Sequence, residues 1–287
     1  MDIVTLLFIW TAGLLTVGAY TDIRWREVPD WLNFAGIAAG LGTRAIYSLA
    51  TGQWSYILAG LAGLVAALVV AYAMFYLGQW GGGDSKMLLA LGALLGIDWS
   101  MSSYGVAFVV NVLLVGAAYG LIWSLALALI HRRTFAKEAV NLLRQPMTKW
   151  SLCLSVLVAI VFAVAAFFLP SPLRLSLALF AIAMPCIFFL GIAIKAVELG
   201  CMIRRVPPTV LTEGDWIVED VVVDGKRITG PADLGVSIPQ IKKLIELAKK
   251  RKLKTVLLKE GIPFVPSFLL GFFVTVMFGN LLSFFIP

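Results

Sequence analysis

Charge is scarce in this 287-residue chain: only 14% of its residues are Asp, Glu, Lys or Arg, against roughly a quarter in an ordinary soluble domain. With 61% hydrophobic residues and a mean hydropathy of +0.95, that scarcity excludes a soluble globular protein. No single core needs so many apolar runs of twenty residues or more, so the bilayer is their solvent. Cysteine is nearly absent. Cys153, Cys186 and Cys201 are widely spaced, sit in or at the ends of apolar runs and form no Cys-x-x-Cys pair. They read as small core residues, and a zinc ribbon or thioredoxin-type site is excluded. The one histidine, His131, has no Cys, His or acid at metal-ligand spacing, so no metal site is expected and Ser85 has no partner for a serine triad. Gly81 to Lys86 lacks the glycine spacing and the Ser or Thr of a P-loop, which excludes nucleotide binding of that kind. No basic groove interleaved with aromatics exists to take nucleic acid. The first apolar stretch, Ile3 to Tyr20, has neither a basic start nor a small-residue cleavage site, so it reads as a spanning helix and not a removable signal. No internal repeat is found. Runs such as Gly60-Leu61-Ala62-Gly63 read as helix faces that let membrane helices approach closely.

What is present is a series of long apolar runs at about 3–20, 31–50, 54–78, 86–103, 104–130, 151–169, 173–199 and 263–286. They predict an all-α polytopic membrane bundle of about eight transmembrane helices. The fourth run is short, and Asp98 interrupts it near the outer end, where that acid reads as solvent-exposed. Lys and Arg are retained on the cytoplasmic side of short loops. With the N-terminus outside, every basic residue except Arg44 and Arg174 falls inside, including the loop from Arg132 to Lys149. The net charge of +7 then follows from topology and from anionic lipid headgroups. Residues 204–260 stand apart, holding 12 of the 23 basic and 8 of the 16 acidic side chains. Trp216 to Val223 alternates, Asp224-Gly225 signals a hairpin turn, and Lys226 to Thr229 returns. Ser237 caps a helix bearing Ile241, Leu244, Ile245 and Ala248 on one face, and Lys254 to Lys259 predicts a third strand. The organisation is thus a bundle over 1–203, a small α+β cytosolic insertion over 204–260, and a last transmembrane helix over 261–287.

Ionisable groups at the ends of spans are costly and therefore informative. Outside the loops and the insertion, the acids are Asp2, Asp22, Asp84, Asp98 and Glu198; Glu198 pairs readily with Lys195 within one helix turn. Asp22 ends the first run, in Tyr20-Thr21-Asp22-Ile23-Arg24-Trp25-Arg26-Glu27-Val28-Pro29-Asp30. Asp84 begins the fourth, in Trp80-Gly81-Gly82-Gly83-Asp84-Ser85-Lys86. In the N-out topology both reach the same cytosolic boundary. Gly81, Gly82 and Gly83 predict close backbone approach and unusual dihedral angles beside Asp84, where a substrate would slide past. Two neighbouring carboxylates share a proton, so one can deprotonate water while the other protonates a peptide carbonyl. The helix dipole favours Asp84 as the ionised partner.

The combination Asp22-x-Arg24-x-x-x-Val28-Pro29-Asp30 with Gly81-Gly82-Gly83-Asp84-x-Lys86 resembles the type IV prepilin peptidases and their archaeal preflagellin peptidase relatives. These are intramembrane-type aspartic proteases with a G-x-G-D motif. The stretch Gly261-Ile262-Pro263-Phe264-Val265-Pro266-Ser267 resembles the Pro-rich start of that family's last helix. The resemblance implies Asp22 and Asp84 as catalytic acids. It implies Lys86 as a group that orients Asp84, Arg24 as part of the same boundary site, and Pro266 beside the acids. It implies no cofactor, and as partners the lipid bilayer and pilin-like or archaellin precursors that lose a short leader. Bacterial members carry a cysteine-tetrad domain and methylate their product. This chain shows no such cysteines, so the expectation is a peptidase without methyltransferase activity. The alternative is a small cation- or proton-coupled transporter using the same acids, and a scaffold docking through 204–260 is a further one. Taken singly, Asp22 reads equally as a helix-end acid paired with Arg24 or Arg26, and Asp84 as a helix N-cap.

Overall fold

The computed structural model describes residues 2–78, 80–97 and 103–284. Ile3–Trp25 (α1), Asp30–Thr51 (α2), Ser55–Tyr76 (α3), Gly82–Leu95 (α4) and Tyr104–Ile130 (α5) follow one another. Then come Arg132–Arg144 (α6), Pro146–Phe168 (α7) and Leu173–Cys201 (α8). In the polar region the strands are Ile203–Val206 (β1), Trp216–Ile217 (β2), Val221–Val223 (β3), Lys226–Thr229 (β4) and Val256–Lys259 (β5), with the helix Ile238–Lys249 (α9) before β5. Val265–Phe278 (α10) is the last α-helix. The chain packs as two compact units. One comprises Met1–Leu121, Pro208–Lys254 and Gly261–Pro287; the other comprises Ile122–Pro207 and Thr255–Glu260.

The first unit is built around α4, which packs on α1, α2 and α3. Met87, Ala90, Leu91, Ala93 and Leu94 are all buried, so α4 is enclosed by protein on nearly every side. Its neighbours make room with small residues. A Cβ on Gly36 would stand 2.9 Å from the Ala90 Cβ, and one on Gly92 would stand 2.6 Å from the Ala67 Cβ. Membrane helices associate by this close approach, because lipid offers no hydrophobic drive between them. Leu15 of α1 and Val265 and Phe268 of α10 complete the core and are fully buried. Asn111 of α5 clasps the end of α10: its amide donates to Thr275 Oγ1 (3.0 Å) and the Gly279 carbonyl (2.6 Å), and its oxygen accepts the Leu281 N–H (3.0 Å).

Among the described residues, five helices are long and apolar enough to cross a membrane: α1, α3, α5, α7 and α8. Helices occupy all eight predicted positions, but the expected count of eight spans is not supported beyond these five. At 14 residues each, α4 and α10 are about 21 Å long, short of a hydrocarbon core of about 30 Å. The predicted fourth run extended to 103, whereas α4 stops at Leu95 because Gly96 turns the chain at φ +69°. Asp98 lies outside the described residues. Arg44, which the sequence reading counts at the outer side, is buried at 6% exposure.

In the second unit, α7 and α8 pack together while their apolar residues, among them Leu157, Ile160, Leu179 and Ile187, stay exposed. The stretch from Arg132, expected as a basic loop, is largely helical. Phe135, Ala139 and Leu142 recur at helical spacing on its more buried face, and Arg132, Arg133, Lys137 and Arg144 are exposed. It packs on α8. Strand β1 pairs antiparallel with β5, Ile203 opposite Lys259 and Val206 opposite Val256.

The hairpin predicted in the polar region is present. Strands β3 and β4 pair antiparallel around Asp224 (φ +51°) and Gly225 (φ +74°), the two left-handed residues of a type I′ turn. Ser237 caps α9 in a capping box with Gln240. Strand β2 is only two residues of the longer strand expected, and β5 begins two residues later than expected.

Candidate active site

Asp22 sits in the last turn of α1, 6% exposed. Helix α1 ends at Arg26, whose φ of +58° turns the chain and whose N–H caps the Asp22 carbonyl at 2.9 Å. The Arg26 guanidinium reaches across to the Gly261 carbonyl (3.0 Å), and its charge acts on the Asp22 carboxylate. Pro263 and Pro266 fix the start of α10. Pro263 keeps Ile262 out of helical geometry, and Pro266, buried, lies in the first turn where its missing N–H costs nothing. The first N–H groups of a helix have no partner of their own. In α10 they point at Asp22, whose Oδ2 accepts the Val265 N–H at 2.9 Å, with the Phe264 N–H as a further donor. The first helix and the last are thereby tied through one carboxylate.

Asp84 lies in the first turn of α4, after the N-cap Gly81, and is half-buried. Its carboxylate accepts the Gly81 N–H, and the charge of Asp22 reaches it. The two acids, far apart in sequence, therefore face one locale. Tyr119 of α5 also lies within reach of the charges on Asp22 and Arg26. Trp80 packs against Phe264 and Phe268 with ring centroids 5.5 and 5.6 Å apart. Asn33 of α2 is fully buried, and neither its amide atoms nor the Ser85 hydroxyl has a hydrogen-bond partner among the described residues.

The remaining sequence candidates divide. None of Gly81, Gly82 and Gly83 adopts a left-handed backbone, so the unusual dihedrals expected there are not found. Close approach is found at Gly83, where a Cβ would stand 3.3 Å from Val28; at Gly82 a Cβ would meet nothing within 4 Å. Lys86 binds Asp30 at 2.6 Å, not Asp84. Arg24 is exposed, and the basic group whose charge reaches Asp22 is Arg26. Of the two basic partners that the sequence offered Asp22, Arg24 and Arg26, the structure favours Arg26, four residues on and one helical turn away. The backbone donors of Val265 and Phe264 had no sequence signal beyond the two prolines. No group of three His, Cys, Asp or Glu converges among the described residues.

Among the described residues, five helices are long and apolar enough to cross a membrane, and two acids on different helices, Asp22 and Asp84, are near enough for one charge to act on the other. Residues 9–128, which include both acids, match the family model described as the type IV leader peptidase family. Preflagellin peptidase of Methanococcus voltae is 32% identical over 83 residues, covering 29% of this chain and 35% of that protein. Preflagellin peptidases of Methanocaldococcus jannaschii and Methanococcus maripaludis are 31% and 32% identical over 83 and 81 residues. The matched stretch spans about a third of the length of these relatives, 35% in each case. No solved structure matches the chain at comparable significance.

Proposed function

We propose that this protein is a membrane aspartic endopeptidase that removes the short leader from type IV prepilin-like or archaellin precursors at the cytosolic membrane boundary. The observation that carries the reading is the approach of Asp22 and Asp84, two acids on different helices near enough for one charge to act on the other. The family match over the segment that holds both acids supports it, as do the names of the archaeal relatives.

In this reading one acid takes a proton from water while the other gives its proton to the carbonyl oxygen of the scissile peptide bond. Collapse of the tetrahedral intermediate returns a proton to the leaving amide nitrogen. Among the described residues, Asp22 accepts backbone donors from Val265 and Phe264 and Asp84 that of Gly81, which favours Asp22 as the base and Asp84 as the acid. This reverses the order expected from the α4 dipole alone. The partly exposed rings of Trp80 and Phe264, backed by the buried Phe268, supply apolar surface for the hydrophobic part of a precursor. Gly82 leaves open space at the acid-bearing turn for the substrate backbone. The sidedness rests on the distribution of Lys and Arg, which favours the N-terminus outside and residues 204–260 inside. Methylation of the product is not expected.

The test is incubation of the purified, detergent-solubilised protein with leader-bearing pilin and archaellin precursors, followed by mass spectrometry of the product. A new N-terminus at the leader junction is the expected result. Intact precursors after prolonged incubation with folded protein would refute the reading.

A further inference from the structure

Arg44 is a buried cation whose three hydrogen bonds among the described residues all go to main-chain carbonyls. From α2 its Nε donates to the Ala93 carbonyl (3.1 Å), its Nη2 to Leu94 (2.8 Å) and its Nη1 to Tyr56 (3.1 Å). Ala93 and Leu94 are the end of α4, where the last carbonyls have no helical partner and the dipole is negative. A planar guanidinium fork suits such adjacent acceptors better than an ammonium does. The surroundings are shaped around this side chain. A Cβ on Gly60 would stand 2.5 Å from the Arg44 Cδ, and one on Gly96 2.7 Å from its Nη2. The chain beyond the helix is fixed too, since the Ile97 N–H binds the Ala59 carbonyl of α3 at 3.0 Å. A helix of 14 residues is too short to be placed by spanning a bilayer, so its depth and rotation must come from contacts of this kind.

We propose that Arg44 is a positioning residue for Asp84: by gripping the far end of α4 it sets the axial position of the short helix that begins with the carboxylate. The proposal rests on the reading of Asp84 as one of the two catalytic acids. Helices are stiff along their axis, so a slip at Leu94 moves Asp84 by the same amount. A reacting group displaced by about 1 Å loses on the order of a hundredfold in rate.

The experiment compares Arg44→Gln and Arg44→Lys in the full-length protein, with activity expressed per folded molecule. Cleavage of a leader-bearing precursor by Arg44→Gln is expected to show kcat lowered about ten- to a hundredfold, with KM within about twofold. Arg44→Lys keeps the charge and one donor contact and falls between. A readout free of catalysis is the maleimide labelling rate of Asp84→Cys, in a chain whose Cys153, Cys186 and Cys201 are serine. Adding Arg44→Gln is expected to change that rate several-fold. If Arg44→Gln does not fold, Gly60→Ala, whose Cβ pushes Arg44 from its seat, replaces it in both assays. Wild-type kcat in the variants that fold, or an unchanged labelling rate, overturns the proposal. Absence of any cleavage by the unmodified protein, alongside a changed labelling rate, overturns the peptidase reading and leaves the positioning of residue 84 supported.

Discussion

Replacing Gly40 by alanine puts a methyl group where α2 meets the backbone of α4. The added Cβ would stand 2.8 Å from the Ala93 carbonyl carbon and 2.9 Å from both its oxygen and the Leu94 nitrogen. All three are main-chain atoms, so no side chain can swing aside. Ordinary contact begins at 3.4 Å, so the helices must part by about 0.6 Å or more at that point. Overpacking of this kind costs about 1–3 kcal/mol. On the proposed reading of Asp84 as a catalytic acid, a shift of that size at α4 lowers the rate by about ten- to a hundredfold. Gly42 is the internal control: it lies on the same helix, and a Cβ there meets nothing within 4 Å. Gly42→Ala is expected to leave precursor cleavage unchanged and to add up to about 1 kcal/mol of helix stability. The assay is kcat for precursor cleavage together with thermal unfolding in detergent. Equal kcat and equal midpoints for the two alanine variants would refute the account of α4 as a helix held by close packing.

Lys86→Met removes only a half-exposed ion pair with Asp30, worth up to about 1 kcal/mol, so kcat is expected to stay within about threefold; a tenfold loss would restore Lys86 as the partner of Asp84. Asn111→Ala strips α10 of a buried three-bond clasp and is expected to cost about 1–3 kcal/mol, read as a lower unfolding midpoint. In the polar region, burial alone would raise the Asp233 carboxyl. Hydrogen bonds from Arg227, Thr229 and the Gly230 N–H outweigh that and hold it below the usual carboxylate range. A depressed carboxyl stabilises the fold above its unfolded pKa of about 3.9, and that contribution is lost as pH falls through the lower folded value. Hydrogen exchange of the amides around Gly230 is therefore expected to quicken below about pH 4, and Asp233→Asn should remove that dependence.

The parts of this molecule that were legible in sequence are those encoded by neighbours. Asp224-Gly225 announces its own turn, Ser237 and Gln240 their own cap, and the glycine run before Asp84 the start of α4. What sequence did not reveal depends on partners distant along the chain. Lys86 is closer in sequence to Asp84 than to Asp30, yet its flexible stem carries the charge back to α2. In sequence Arg44 is only one of two basic residues on the outer side, and that α4 ends against it shows only in the fold. Strand β1 is invisible alone because its pairing partner β5 begins some fifty residues later. The density of basic residues in α6 hid the helical recurrence of Phe135, Ala139 and Leu142. The donors to Asp22 are backbone groups, which carry no residue signature at all.

The central claim is that Asp22 and Asp84 act together as the acids of a leader peptidase. Its most direct test is precursor cleavage by Asp22→Asn and Asp84→Asn, each compared with the unmodified protein at matched folded concentration. Loss of leader removal in both variants, with unfolding midpoints close to the parent, is the result this account predicts. Cleavage that persists in either variant would contradict it.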